Sequence, residues 1–219
     1  MKDTGRIRVK ICGITRLQDA LHAAELGVDA LGFIFFKKSP RNILPSDARK
    51  IIEKLPPFVD RVGVFVNASI NDIAVTAATG LSCLQLHGNE SPDYCVELRR
   101  KLPMCRIIKA FRVGQESRAE EFSPYEKMVD GFLLDTYKKG EPGGTGAVFD
   151  WSVVEQLGLQ RPMLLAGGLE PANISEAIAQ VHPYGVDVNS GVESEPGIKN
   201  HQMLNELFQR IACGVPENL

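Results

Sequence analysis

The chain has 219 residues, of which 44% are hydrophobic and 24% charged, and its formal net charge is −2. This length suits one large domain, and the composition is that of an ordinary folded protein. Basic residues are scattered in a near-neutral chain, which excludes an electrostatic footprint for nucleic acid. Since no apolar run approaches the length of a membrane span or a signal-peptide core, we expect a cytoplasmic protein.

The cysteines indicate the same kind of compartment. Their number is odd and no CxxC spacing occurs, the positions being Cys12, Cys83, Cys95, Cys105 and Cys213. In a reducing compartment such residues are most simply free thiols, so we expect neither a disulfide framework nor a zinc site.

Short apolar runs alternate with amphipathic stretches along the chain. The runs have the β-branched and aromatic character of strands buried on both faces, and they span residues 7–11, 30–36, 61–66, 83–86, 106–111, 131–134, 163–166 and 185–188. Thr15-Arg16-Leu17-Gln18 reads as a capping box that begins the first helix, and further helical patterns span residues 46–55, 69–80, 92–102, 171–181 and 200–213.

Eight such strands in a chain of this length predict a single (β/α)8 barrel over residues 1–219, at roughly 27 residues for each strand and helix. A doubly wound open sheet has the same alternation and is the alternative.

Side-chain alternation predicts which strand residues point into the barrel, because residues two apart share a side. The pairs are Lys10 with Cys12, Gln85 with His87, Lys109 with Phe111, Leu133 with Asp135, and Asp187 with Asn189. Residues adjacent to these pairs in the strands are apolar and suit the face covered by helices: Ile11, Leu86, Ile108, Leu134 and Val188. Because an unpaired charge inside a barrel is costly, we expect Lys10 or Lys109 to pair with Asp187.

Glycines follow the last two predicted strands. Gly167 and Gly168 end strand seven, and Asn189, Ser190 and Gly191 end strand eight. Such backbone can approach an anion closely, and a short helix after strand eight would direct N–H groups toward it. Loops after strands seven and eight are the usual phosphate site of this fold, so we predict one here. The alternative is that the glycines only turn the chain.

Cys12 and Asp135 end strands one and six and are the candidate base and acid. Proton abstraction beside an imine or carbonyl needs a base, while an acid on the other side can protonate a departing oxygen. A thiol serves as a base only if a cation or an anion-stabilising backbone lowers its pKa. The structural alternatives are a small buried hydrophobe for Cys12 and a loop-capping carboxylate for Asp135.

Two more residues and one loop lie at the predicted mouth. Arg41 offers a planar donor to a substrate carboxylate, unless it is a solvated loop charge. His87 hydrogen-bonds substrate or fills the rim. The GGTG at residues 143–146 is not a phosphate P-loop because Ala147 stands where lysine is required, and we interpret it as a mobile loop over the mouth.

With these residues in place, the chain resembles the phosphoribosylanthranilate isomerase family from end to end. Eight motifs carry the resemblance in order: KICGIT (10–15), GFIFFKKSPR (32–41), RVGVFVN (61–67), LQLHG (84–88), LLDT (133–136), GGTG…FDW (143–151), LAGGL (165–169) and DVNSGVE (187–193). The resemblance implies a single barrel with no metal or cofactor. It also implies a phosphosugar substrate and an Amadori rearrangement in tryptophan biosynthesis.

Matched position by position, the resemblance makes Cys12 the general base and Asp135 the general acid. Asp135 would protonate the furanose ring oxygen, and Cys12 would remove the C2′ proton of the resulting Schiff base. Arg41 would hold the anthranilate carboxylate, and the two glycine loops the phosphate. Family members often have serine where Asn189 stands and lysine where Ala147 stands. Neither departure touches the two catalytic positions.

Three other functions compete with this one. An indole-glycerol-phosphate synthase should have lysine and glutamate catalysts, and a histidine-pathway isomerase should have an aspartate at the end of strand one, where this chain has Cys12. A catalytically inactive barrel that acts as a binding protein should lack Cys12 or Asp135. We expect a monomer because no long exposed apolar stripe is evident, although the resemblance allows a homodimer.

Overall fold

Eight parallel strands close into a barrel in the computed structural model, which describes residues 6–135, 154 and 156–214. The strands are β1 (Arg8–Ile11), β2 (Ala30–Ile34), β3 (Asp60–Phe65), β4 (Cys83–Leu86), β5 (Arg106–Arg112), β6 (Gly131–Asp135), β7 (Met163–Ala166) and β8 (Gly185–Val188). Because β1 pairs with both β2 and β8, the sheet has no edge. The predicted barrel is confirmed, and the open sheet is excluded.

Helices cover the outside of the strands. They are α1 (Leu17–Glu25), α2 (Pro45–Ile52), α3 (Ile70–Ala77), α4 (Pro92–Lys101), α5 (Ile174–Val181) and α6 (His201–Gly214). A short antiparallel hairpin of β9 (Glu193–Glu195) and β10 (Ile198–Lys199) precedes α6. None of the described helices is both long and apolar enough to cross a membrane. The GGTG loop at residues 143–146 lies outside the described residues.

Side-chain caps explain where two of the described helices begin. Ser69 and Ser91 accept hydrogen bonds from the backbone N–H groups of Asp72 and Tyr94, and so cap α3 and α4. The predicted capping box at the start of α1 is wrong. The N-cap is Arg16 without a side-chain cap, and the Thr15 hydroxyl instead donates to the Gly197 carbonyl. A tertiary contact 182 residues away therefore replaces the local one.

The core forms in the layer between strands and helices, where apolar residues on the outer faces of the strands are fully buried. These include Ile11, Leu31, Leu84, Leu86, Leu134 and Val188. Their inward-facing neighbours form the barrel interior, which is more polar: Lys10 and Gln85 are both almost fully buried there. The outward-facing apolar residues are thus buried in this core, and the inward-facing side of the strands is left for the site.

The predicted orientation of β5 is wrong. The register pairs Ile108 with Gln85 and Lys109 with Leu86, so Ile108 points into the barrel and Lys109 points out. Ile108 and Ala110 pack inside against Leu133 and Ala166. Phe111 also points outward, and its ring lies 4.5 Å from that of Phe122. The ammonium group of Lys109 lies on the outer side, 3.1 Å from the Glu90 carboxylate and 2.8 Å from the Gly88 carbonyl.

Candidate active site

A cavity opens at the C-terminal end of the barrel strands. Its wall contains every residue that the sequence predicted for the site except Arg41, namely Cys12, His87, Asp135, Gly167, Gly168, Asn189, Ser190 and Gly191. Cys12 directly follows β1 and Asp135 ends β6. These strands are three apart around the ring, so the two residues line the cavity from different sides. This arrangement leaves room for a substrate between a thiol and a carboxyl group.

Cys12 directly follows β1. Its backbone N–H donates to the Val188 carbonyl at 2.9 Å, which holds the residue in line with the barrel wall. Ile34, Val64 and Phe36 pack on its apolar side. Burial raises the pKa of the Cys12 thiol above its ordinary value, while the charge of Lys10 acts to lower it. The side chain therefore combines an apolar setting with a nearby cation.

Asp135 is the last residue of β6, and its carboxylate lies next to His87 in the wall of the cavity. His87 Nε2 lies 3.5 Å from Asp135 Oδ2, and Gln85 Nε2 lies 3.3 Å from His87 Nδ1. A neutral imidazole that accepts from the Gln85 amide at Nδ1 presents its N–H at Nε2, on the side of Asp135. His87 is thus placed both to orient Asp135 and to contact a substrate.

The loops after β7 and β8 touch each other at the rim of the cavity. Gly167 and Gly168 have φ angles of 93° and 65°, which favour glycine, and a Cβ on Gly191 would lie only 1.9 Å from the Leu169 carbonyl oxygen. A 3-10 helix (Ser190–Val192) begins here, which confirms the predicted short helix after strand eight. The described backbone hydrogen bonds do not use the N–H groups of Gly168, Ser190 or Gly191. These groups are suited to an anion.

Arg41 lies beside the cavity, in a cluster of charges that the sequence did not predict. Its Nη2 is 2.7 Å from Glu193 Oε2, and Lys199 Nζ is 2.8 Å from Glu193 Oε1. Lys199 also donates to the backbone and side-chain oxygens of Asn189, both at 3.0 Å. Burial raises the pKa of Glu193, but the hydrogen bonds from Arg41 and Lys199 outweigh it and hold the pKa below its usual range. Glu193 was visible in the DVNSGVE motif, yet nothing local linked it to Arg41.

Below Cys12, a lysine and an aspartate form a buried ion pair. Lys10 Nζ lies 2.7 Å from Asp187 Oδ1, and both side chains are almost fully shielded from solvent. The expectation that Lys10 or Lys109 pairs with Asp187 is confirmed for Lys10. Burial disfavours the charge on Lys10, but the Asp187 carboxylate and Cys12 outweigh it and raise the pKa of the lysine.

No group of three or more His, Cys, Asp or Glu side chains among the described residues is arranged to hold a metal ion. The cavity instead offers a thiol, a carboxylate, an imidazole and two glycine loops. Barrel enzymes that act on sugar phosphates have this organisation: acid–base groups inside the mouth and an anion site in the loops after the last two strands. The fold and the site together define that class of protein.

Comparison with known proteins gives the family. A family model described as N-(5'phosphoribosyl)anthranilate (PRA) isomerase matches residues 9–210, and the chain belongs to this family. The N-(5'-phosphoribosyl)anthranilate isomerase of Citrifermentans bemidjiense is 52% identical over 203 residues, which cover 92% of this chain and 95% of that protein.

Solved structures agree with this assignment. The phosphoribosyl anthranilate isomerase of Thermotoga maritima superposes with a TM-score of 0.85 at 44% identity, over 94% of this chain and 99% of that one. A further isomerase structure, in complex with reduced 1-(o-carboxyphenylamino)-1-deoxyribulose 5-phosphate, has a TM-score of 0.81 and 40% identity, with the same coverage of both chains.

Proposed function

We propose that this chain converts N-(5'-phosphoribosyl)anthranilate into 1-(2-carboxyphenylamino)-1-deoxy-D-ribulose 5-phosphate. This Amadori rearrangement is the third step from chorismate to L-tryptophan, and membership of the family makes the chain an isomerase of the aldose–ketose type. One observation carries the chemical part of the proposal. Cys12 and Asp135 line the same cavity from strands that are three apart in the barrel.

The proposed reaction uses these two residues in turn. The carboxyl group of Asp135 protonates the furanose ring oxygen, and the ring opens to a Schiff base. The thiolate of Cys12 then takes the proton from C2′, which gives an enolamine that tautomerises to the ketone. Both steps are proton transfers at different atoms of the sugar, so Asp135 must reach the ring oxygen and Cys12 the C2′ proton.

Substrate binding is assigned to the rim. The N–H groups of Gly168, Ser190 and Gly191 would hold the phosphate, supported by the fixed contact between Gly191 and the loop after β7. Arg41 would hold the anthranilate carboxylate through its planar guanidinium group. His87 would hydrogen-bond the sugar while it orients Asp135.

The test is a direct assay. N-(5'-phosphoribosyl)anthranilate is made in situ from anthranilate and phosphoribosyl pyrophosphate, and its fluorescence decay is followed with and without the protein. The proposal predicts a decay much faster than the spontaneous rate, with the ribulose phosphate as product. A decay that the protein does not change would contradict it, and other phosphosugars would then be tried as substrates.

Three further properties belong to the same proposal. One catalytic barrel spans residues 1–219, the chain acts in the cytoplasm, and it is a monomer, with a homodimer as the alternative. Size-exclusion chromatography with light scattering would measure the molar mass against the 24.0 kDa of one chain. Cell fractionation with an antibody against the chain would test its location.

A further inference from the structure

The environment of Cys12 presents a problem for its role as a base. A thiol in an apolar setting resists ionisation, and Cys12 has Ile34 and Val64 packed on one side and is only 4% exposed. A base at this position needs a compensating positive charge. The charged groups around Cys12 are therefore decisive.

Lys10 is the cation nearest to Cys12 in sequence, two residues before it. Both side chains point into the barrel from β1, and Gly32 on the neighbouring strand β2 lies against both of them. A Cβ on Gly32 would be 2.8 Å from Cys12 Sγ and 3.1 Å from Lys10 Nζ. The sulfur and the ammonium nitrogen are therefore within about 6 Å of each other, a range in which an opposite charge favours the ionised form.

Asp187 keeps Lys10 in this place. Lys10 and Asp187 are opposite each other in the register of β1 and β8, and Lys10 Nζ lies 2.7 Å from Asp187 Oδ1. The carboxylate also ensures that the buried lysine stays protonated. Its own charge disfavours a thiolate, but the effect of Lys10 on Cys12 is the larger of the two.

The other charged groups near Cys12 are few. Lys199 from β10 also favours the thiolate, and its ammonium group donates hydrogen bonds to Glu193 and Asn189. His87 and Asp135 line the cavity from β4 and β6. On β2 and β3 the described neighbours of Cys12 are Gly32, Ile34 and Val64, which carry no charge.

We propose that Lys10 is a positioning residue for the base: its ammonium group, anchored by Asp187, is the counter-ion that stabilises the Cys12 thiolate. The thiol proton leaves to solvent through the cavity, and the thiolate is then ready to take a proton from substrate. Lys10 keeps its own proton throughout. The inference rests on the proposed role of Cys12 and adds a reason why a buried thiol can fill it.

The experiment measures the ionisation of Cys12 without relying on activity. Alkylation of Cys12 by iodoacetamide is followed against pH by mass spectrometry of its peptide, which separates it from the exposed Cys213. Lys10→Met alone would leave the Asp187 carboxylate buried without its partner, so the main variant is Lys10→Met/Asp187→Leu, which keeps the interior neutral. The control Lys50→Met/Asp47→Asn removes an ion pair that is exposed on α2.

In the wild type and the control, we expect the same pH midpoint of alkylation. In Lys10→Met/Asp187→Leu, the midpoint moves to higher pH, and alkylation below it becomes about tenfold slower. The kcat for isomerisation falls in parallel while KM changes little, because the substrate-binding groups are untouched. A midpoint equal to that of the wild type would overturn the proposal.

A second variant covers the case in which the double substitution does not fold. Gly32→Ala keeps both charges but adds a Cβ 2.8 Å from the Cys12 sulfur and 3.1 Å from the Lys10 ammonium nitrogen, so the sulfur must move from its present place beside the lysine. Crowding alone lowers the maximal alkylation rate, whereas loss of the counter-ion moves the midpoint to higher pH. An unchanged midpoint in this variant contradicts the proposal. Failure of the isomerase function is a separate result, because it would appear as a wild type that alkylates at Cys12 yet never accelerates the substrate decay.

Discussion

Arg41 and Glu193, 152 residues apart in sequence, form a bidentate ion pair beside the cavity, with Arg41 Nε 3.0 Å from Oε1 and Nη2 2.7 Å from Oε2 of Glu193. The planar fork of the arginine is thereby held in one orientation. Lys199 and the backbone N–H of Gly197 bind Oε1 of the same carboxylate, at 2.8 Å and 3.2 Å. The loop after β2 and the hairpin after β8 are therefore tied together next to the site.

Removing this guanidinium group should affect binding more than chemistry. We expect Arg41→Met to raise KM about 10- to 100-fold, which corresponds to the loss of a hydrogen bond to a charged group. The effect on kcat should be much smaller, because the substrate's anthranilate carboxylate, which Arg41 is proposed to hold, is remote from the reacting carbons. Steady-state decay of substrate fluorescence measures both constants. Arg49→Met, on the exposed face of α2, is the matched control. An Arg41→Met enzyme with the KM of the wild type would remove Arg41 from the substrate site.

The contact between Gly191 and Leu169 can be tested by adding a single methyl group. In Gly191→Ala the new Cβ would lie 1.9 Å from the Leu169 carbonyl oxygen, so the loops after β7 and β8 must separate. We expect a higher KM and weaker inhibition by inorganic phosphate. Gly114→Ala is the control because nothing lies within 4 Å of a Cβ there. Unchanged phosphate inhibition in Gly191→Ala would contradict a phosphate site in these loops.

The buried carboxylate of Asp19 predicts a pH dependence of stability. Arg16, the Lys199 backbone N–H and His201 all donate to it. Burial raises the pKa of Asp19, but these hydrogen bonds outweigh burial and lower it below its ordinary value. Because the folded-state pKa is the lower one, the stabilisation is fully present above about pH 4 and is lost as the pH falls through the folded-state pKa.

The variant Asp19→Asn therefore tests this carboxylate. We expect it to lower the free energy of unfolding by about 1–3 kcal/mol at neutral pH, and the difference from the wild type to narrow in acid. Urea unfolding at several pH values measures this. Asp47→Asn, an exposed carboxylate on α2, should change stability little. A difference that stays constant down to strongly acidic pH would show that ionisation of Asp19 is not its cause.

The outward-facing pair of Lys109 and Glu90 predicts a stability effect outside the cavity. Glu90 accepts hydrogen bonds from the backbone N–H groups of Asn67 and Gly88, so the pair fixes the loop that carries His87. In Lys109→Met the carboxylate would stay buried without its cation, and we expect a loss of about 3–5 kcal/mol in the free energy of unfolding. Urea unfolding is the measurement, with exposed Lys50→Met as control. A loss of less than about 1 kcal/mol would contradict the account of this pair.

The strand positions and the barrel could be predicted because they depend on local sequence pattern. Strand positions followed from short apolar runs, and the barrel followed from their regular alternation with helices. The Lys10–Asp187 pair was also predictable, because the only groups available to neutralise an inward lysine are those of the adjacent layers. The glycines at 167, 168 and 191 were also recognised from the sequence, because a backbone that must turn sharply or approach another group closely favours glycine.

What the sequence missed depends on register and on long-range contacts. Lys109 and Phe111 were placed inside the barrel because alternation gives the period of a strand but not its phase. The phase of β5 is determined by its pairing with β4, which places Ile108 opposite Gln85. Thr15 was predicted to cap a helix, yet its hydroxyl group finds the Gly197 carbonyl. The contact of Arg41 with Glu193 likewise exists only once the hairpin after β8 has folded against the loop after β2.

The central claim is that Cys12 is the base and Asp135 the acid of an isomerase. Its most direct test compares the wild type with Cys12→Ala and Asp135→Asn in the fluorescence decay of N-(5'-phosphoribosyl)anthranilate, after circular dichroism has established that both variants are folded. We expect kcat to fall at least 100-fold in each variant, about the contribution of a positioned acid or base, with little change in KM. A folded variant that keeps more than about a tenth of the wild-type kcat would contradict the role assigned to that residue.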